Sequence, residues 1–277
     1  MRSRRVPREL GDVLHYFIPE LGAGGGIDES APALSVPLLG RDVVRAALLW
    51  NLAVEAARQG ARAALVTPAA GPNAPWPGDR RQPLGVDVIE VAGDEPSALA
   101  RAAEAASLQP ASLDAPPLVL AAVPAPWLAK GADAGALLRW VVALVRPDES
   151  EADETWGVLE AVAAQDPRAR LGAVIFGVRS LAEARVSFEK LAARVERELA
   201  RPLASYGVLI DDVELSRSIV TRRPIALVHP TSPAARALAD VASLCLADAS
   251  ERGGPEPAVG AERGTGRPVA ERGATLV

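Results

Sequence analysis

The chain has 277 residues, with 35 acidic and 30 basic side chains and a formal net charge of −5, so no global positive charge marks it for nucleic acid. That length is ample for one sizeable core, and the single cysteine, Cys245, excludes an internal disulfide, as expected in a reducing compartment. No apolar run approaches the ~20 residues of a membrane span, and the basic opening Met1-Arg2-Ser3-Arg4-Arg5 is not followed by a signal-peptide apolar region, so a cytoplasmic location is expected.

In chain order, residues 1–21 come first. Leu10, Val13, Leu14, Phe17 and Ile18 fall at i, i+3, i+4, i+7 and i+8, one apolar stripe on a helix preceded by Arg2, Arg4, Arg5 and Arg8. Residues 22–32, with Gly22 and Gly24 to Gly26, read as a flexible linker. Apolar β-type runs then alternate with helical patterns. Strands are expected at 33–37, 63–67, 86–91, 117–123, 139–145, 171–178 and 203–209, and helices at 42–59, 95–107, 150–165, 180–200, 212–222 and 231–247. Near-continuous apolar strands belong to a parallel sheet covered on both faces. The alternation therefore predicts one α/β domain over 33–248, a doubly wound, mainly parallel sheet with helices on both faces. From Ala249 to Val277 the composition turns to Gly, Pro, Glu and Arg, too poor in large apolar groups to offset ordering entropy, which predicts a disordered tail.

Residues 34–66 hold the frame of a phosphate-binding loop without its chemistry. A working loop is Gly-rich so that backbone N–H groups cradle phosphates, with a Lys on the β- and γ-phosphates and a Ser or Thr on Mg²⁺. Here the turn is Leu39-Gly40-Arg41-Asp42-Val43-Val44-Arg45-Ala46. Asp42 puts negative charge where phosphate would sit, Ala46 has no oxygen for a metal, and Val43 and Val44 bring β-branched bulk. The only lysines, Lys130 and Lys190, lie far away in sequence.

Further along the chain come Val174-Ile175-Phe176-Gly177-Val178-Arg179-Ser180, Glu183-Ala184 and Phe188. Tyr206-Gly207, Asp212, Arg223-Pro224 and Pro230-Thr231-Ser232-Pro233-Ala234-Ala235 come next. With Asn51-Leu52-Ala53 and the strand order, this set resembles the MinD/ParA superfamily of the SIMIBI-class P-loop fold, over roughly residues 33–247. It looks most like the MinD-like branch that controls flagellar number in bacteria. The resemblance implies a P-loop NTPase-like fold and relatives that are ATPases, dimerise around ATP, bind membrane or DNA, and position other machinery.

Carried over position by position, the resemblance implies a degenerate nucleotide site. The family's signature lysine falls on Gly40, its Walker lysine on Arg45 and its Mg²⁺-binding Thr on Ala46. Thr67-Pro68-Ala69 stands where an Asp-x-Asp pair is expected, Ala122 where the metal-side Asp belongs, Phe176 at the adenine-reading Asn, and Ile210 at the base-flanking Pro. A charge-assisted hydrogen bond contributes about 1.5–3 kcal/mol. Losing two lysine contacts and one through the metal removes about 4–9 kcal/mol, roughly a thousand- to a million-fold in affinity. Arg45 as a cation recovers part of that loss. No cofactor and no metal is expected, and no ATP hydrolysis.

The remaining candidates read as structural. His15 and His229 make no metal set with one cysteine. Asp211-Asp212 opens a helix, where acidic groups cap N–H donors. Asp148, Glu149, Glu151, Asp153 and Glu154 fit a solvated first turn. The expected function is a pseudo-ATPase acting as a regulatory or scaffold subunit in a polar, motility or division system. Its partner would be an active relative or a component of that machinery, met through Leu10, Val13, Leu14, Phe17, Ile18, Arg41 and Arg45, with a homodimer as a further option. Two alternatives stand beside it: a divergent ATPase or nucleotide sensor using Arg45, and a protein that self-assembles through the old dimer face. Residues 1–21 either fold onto their own domain, dock a partner or touch a membrane surface, the last being the weakest reading.

Overall fold

The computed structural model describes residues 33–39, 43–69, 84–93, 95–108, 117–129, 134–147 and 149–253. The N-terminal stripe, the linker, Gly40, Arg41, Asp42 and Asp148 lie outside the described residues. So do residues 254–277.

Seven apolar runs form seven strands, each within one residue of its expected bounds: β1 Leu34–Leu38, β2 Arg62–Pro68, β3 Val86–Val91, β4 Pro117–Pro124, β5 Trp140–Val145, β6 Arg170–Val178 and β7 Ala204–Ile210. They make one sheet in the order β3-β2-β4-β1-β5-β6-β7, and every pairing is parallel. Position in the sheet explains the sequence pattern. β1 and β5 are central, covered on both faces, and buried at every residue. β3 lies at an edge and carries exposed Asp87 and Glu90, charges that discourage further strand pairing.

Helices cover both faces. On one face α1 (Val43–Arg58) packs beside the long C-terminal helix α8 (Pro233–Gly253), with the short α6 (Val213–Thr221) and α7 (Ile225–Val228) next to them. On the other lie α2 (Pro96–Leu108), α3 (Ala125–Ala129), α4 (Glu149–Gln165) and α5 (Leu181–Leu199). Two apolar cores result, one on each side of the sheet, built mainly from Leu, Val and Ala with Trp50, Trp140 and Trp156 as the large members. The capping chemistry is local. Ser180 accepts from the Glu183 N–H at 3.2 Å while the Glu183 carboxylate accepts from the Arg179 N–H at 2.8 Å, a reciprocal cap on α5.

Two differences from the sequence expectation have simple causes. The short helices α3 and α7, and a 3₁₀ turn over Gly135–Leu138, were not expected, because four or five residues are too few to display a helical period. The tail was expected to start at Ala249, whereas α8 runs to Gly253. The buried face of this helix, Leu238, Val241, Ala242 and Cys245, continues to Ala249, which is itself in the core.

Two bulges interrupt the ladder between β6 and β7. Phe176 pairs with Leu209 and Val178 with Ile210, leaving Gly177 out of register with φ +70°. The second bulge, in β7, turns Tyr206 inward against Gly172, where any Cβ would collide with the tyrosine ring. Trp140 Nε1 donates to the Tyr206 hydroxyl at 2.9 Å, and that hydroxyl donates to Asp248, tying β5, β7 and α8 together.

Candidate functional site

The strand order turns around β1. The chain leaves β1 for β2 and β3 on one side, returns to β4 beside β1, and then places β5 on the other side. Such a switch point opens a crevice at the carboxyl ends of the strands, where doubly wound folds bind ligands. At this edge the ends of β5 and β6 meet the first turn of α1 through Arg45, Leu144 and Phe176.

Arg45 dominates this edge. It lies in the first turn of α1, yet it is only 1% exposed. Its Nε donates to the Leu144 carbonyl near the end of β5 at 2.8 Å. Its guanidinium carbon lies 5.2 Å from the centre of the Phe176 ring, within cation–π range. Arg146, the residue after β5, places its guanidinium carbon 4.9 Å from the same centre. The Gly177 bulge makes room for it, since a Cβ there would lie 3.2 Å from Arg146 Nε. Phe176 itself is 3% exposed. Helix α1, β5 and β6 are thereby pinned to one aromatic ring.

The other positions singled out in the sequence are placed as follows. Ala46 and Ala122 are buried and present methyl groups. Thr67 is buried at the end of β2, with its hydroxyl turned to the neighbouring Pro68 carbonyl at 3.3 Å. Ile210 closes β7. Val43 is 58% exposed at the start of α1, whereas Val44 is partly buried against the core. Among the described residues no group of three or more His, Cys, Asp or Glu side chains is placed to hold a metal ion.

Several motif residues serve the fold. Asn51 Oδ1 accepts from the Ile225 N–H at 2.8 Å and its amide donates to the Ala47 carbonyl at 2.8 Å, so it fastens α7 to α1. Asp212 caps two helices at once, accepting from Glu214 N at 2.8 Å and Ala234 N at 3.0 Å. The capping expectation for Asp211-Asp212 thus rests on Asp212 alone. His229 Nε2 lies 2.9 Å from a Glu214 carboxylate oxygen beside α7. Asp153 pairs with Arg194 across the α4–α5 surface at 3.1 Å.

Two corrections concern arginine. Sequence reasoning put Arg45 on an outward surface, as a phosphate cation or a partner contact. Its side chain is instead an interior group. The reason is spatial: the third helical residue of α1 faces the adjoining strand end, where a backbone carbonyl and an aromatic face await it. Arg146 was missed altogether. Its signal was a basic residue directly after the apolar run Trp140–Val145, at the carboxyl end of a central strand.

No protein-family model matches the sequence, and no curated protein matches it. Solved structures do match the fold. A chain of the MinC:MinD cell division protein complex of Aquifex aeolicus superposes with a TM-score of 0.55 at 14% identity, covering 78% of this chain and 96% of that one. The ParA family ATPase from Chlorobium tepidum TLS gives 0.53 at 12% identity, covering 76% and 98%. Among the described residues no helix is long and apolar enough to cross a membrane. The chain therefore has the α/β P-loop NTPase-like fold of MinD- and ParA-type structures.

Proposed function

We propose that the protein is a MinD/ParA-like pseudo-ATPase, a regulatory or scaffold subunit that acts through protein contacts in a spatial-positioning system. The observation that carries this reading is the direction of Arg45. At the position to which the sequence resemblance assigns the phosphate-binding lysine, Arg45 is turned inward, hydrogen-bonded to a strand carbonyl and lying over an aromatic ring. A guanidinium so placed does not meet a γ-phosphate, and the buried alanines at 46 and 122 supply no oxygen for Mg²⁺. Phosphoryl transfer without metal and positioned cations loses its main electrostatic terms. The same observation disfavours a nucleotide sensor built on Arg45.

What the fold retains is a rigid sheet with a docking edge at the switch point, where Val43 offers exposed apolar surface. The partner is a MinD/ParA-type relative, namely an active ATPase of this fold, or a component of a polar, motility or division machine. The flagellar-number branch is the preferred setting on the sequence motifs. Two measurements test the reading together: titration calorimetry with MgATP and MgADP, and identification of proteins that co-purify from the native cell. Silent calorimetry with a co-purifying positioning protein supports it. Micromolar nucleotide binding overturns it.

A further inference from the structure

We propose that the open edge of β7 is where a second copy of this chain docks, the two β7 strands pairing antiparallel about a two-fold axis so that two sheets become one. The strand order puts β7 at the end of the sheet, and among the described residues no strand pairs with its outer side. An unpaired edge presents a row of backbone N–H and C=O groups, which proteins commonly blunt with charge or proline. The other edge is blunted in this way, because β3 carries Asp87 and Glu90. β7 reads Ala204-Ser205-Tyr206-Gly207-Val208-Leu209-Ile210, with neither a charge nor a proline. Its bulge at Tyr206 confines regular pairing to residues 207–210.

The flank of α8 along this strand adds apolar surface. Val241 stands against Gly207, where a Cβ would lie 3.2 Å from the valine Cγ2, and Asp248 accepts from the Tyr206 hydroxyl. Residues 241, 244 and 248 share one side of a helix, so Leu244 lies on the flank that follows β7. Ser243, on another side, turns to α1 and donates to Gln59 at 3.0 Å. Leu244 is 46% exposed, a large apolar side chain beside an unpaired strand. On the other face of the sheet, Val208 and Ile210 are only partly buried against the core. A two-fold axis brings each group on the edge toward its own counterpart. A charged edge therefore repels its copy, whereas a neutral, apolar edge is complementary to itself, and this selects a second copy as the occupant. β7 lies about 14 Å from β1 across the sheet, so this surface is separate from the switch-point edge.

The test is the mass of the full-length protein in solution. Sedimentation velocity at about 50 µM should give twice the chain mass of 28.8 kDa, with or without MgATP. Amide exchange over residues 204–210 should slow as protein concentration rises, a response that strand pairing produces and a contact between helices alone does not. Leu244→Arg, at an exposed position, should melt like wild type and raise the dimer dissociation constant about 30-fold or more. Val208→Lys, which puts charge on the edge itself, should weaken the dimer as well. If that variant yields no folded protein, Ser205→Lys, exposed on the same strand, is judged by the same criterion. Val88→Lys on β3 should leave the dimer intact. A wild type that stays monomeric overturns the proposal, as does a dimer that withstands Leu244→Arg. A dimer broken by Val43→Glu instead also overturns it, by moving the interface to the switch point. Nucleotide affinity enters none of these readouts, so failure here is distinct from failure of the pseudo-ATPase reading.

Discussion

Replacing Arg45 by Ala removes a buried hydrogen bond and a buried cation–π contact in one step. The bond from Nε to the Leu144 carbonyl, at 2.8 Å with a charged donor, contributes about 1.5–3 kcal/mol. The contact with Phe176 adds about 2 kcal/mol when desolvated. Both belong to one side chain and do not simply add, so we expect a loss of about 3–5 kcal/mol. For a domain of this size that lowers the melting temperature by roughly 6–20 °C. Arg45→Lys keeps the charge but loses the planar face and the Nε geometry, and should recover less than half of the loss. Arg45→Met fills the space without burying a charge, and should be milder than Ala. Urea denaturation followed by circular dichroism measures all three, with an unchanged slope marking a stability effect alone. An Ala variant within about 0.5 kcal/mol of wild type would place the guanidinium in solvent and refute the interior assignment.

Asn51→Ala should cost about 1–3 kcal/mol, because it leaves the buried Ile225 N–H without its acceptor; the check is chemical denaturation, and a neutral result would remove Asn51 as the tie between α1 and α7. Replacing Leu14 and Phe17 by Glu should leave the melting temperature within about 2 °C of wild type while abolishing partner capture or cellular positioning. Loss of folded protein in that variant would instead assign the N-terminal stripe to the core.

Most of the fold was legible because its strands are central. A strand buried on both faces, such as Leu34–Leu38 or Trp140–Val145, writes itself as an unbroken apolar run, and the intervening helices carry a 3.6-residue period. The tail boundary was misplaced because small residues, Ala247 and Ala249, extend α8 without the large apolar groups that announce a helix. In the sequence the candidate site is an expectation built on a resemblance, which sets Gly40, Arg45, Ala46 and Ala122 against the groups a phosphate-binding fold uses, but sequence says nothing about where a side chain turns. The inward course of Arg45 depends on a carbonyl 99 residues away, and the Phe176 ring meets two arginines that come from different elements. Non-local partners of this kind leave no periodic trace. Gly177 is an intermediate case, since a glycine in a β run suggests a bulge or a close approach, and both occur here.

Nucleotide binding tests the central claim most directly. Wild-type protein titrated with MgATP and MgADP by calorimetry, and melted in the presence of millimolar nucleotide, should give no binding heat and an unchanged melting temperature, since only a ligand bound to the folded state stabilises it. A dissociation constant below about 100 µM, or a melting temperature raised by more than about 3 °C, would contradict the account.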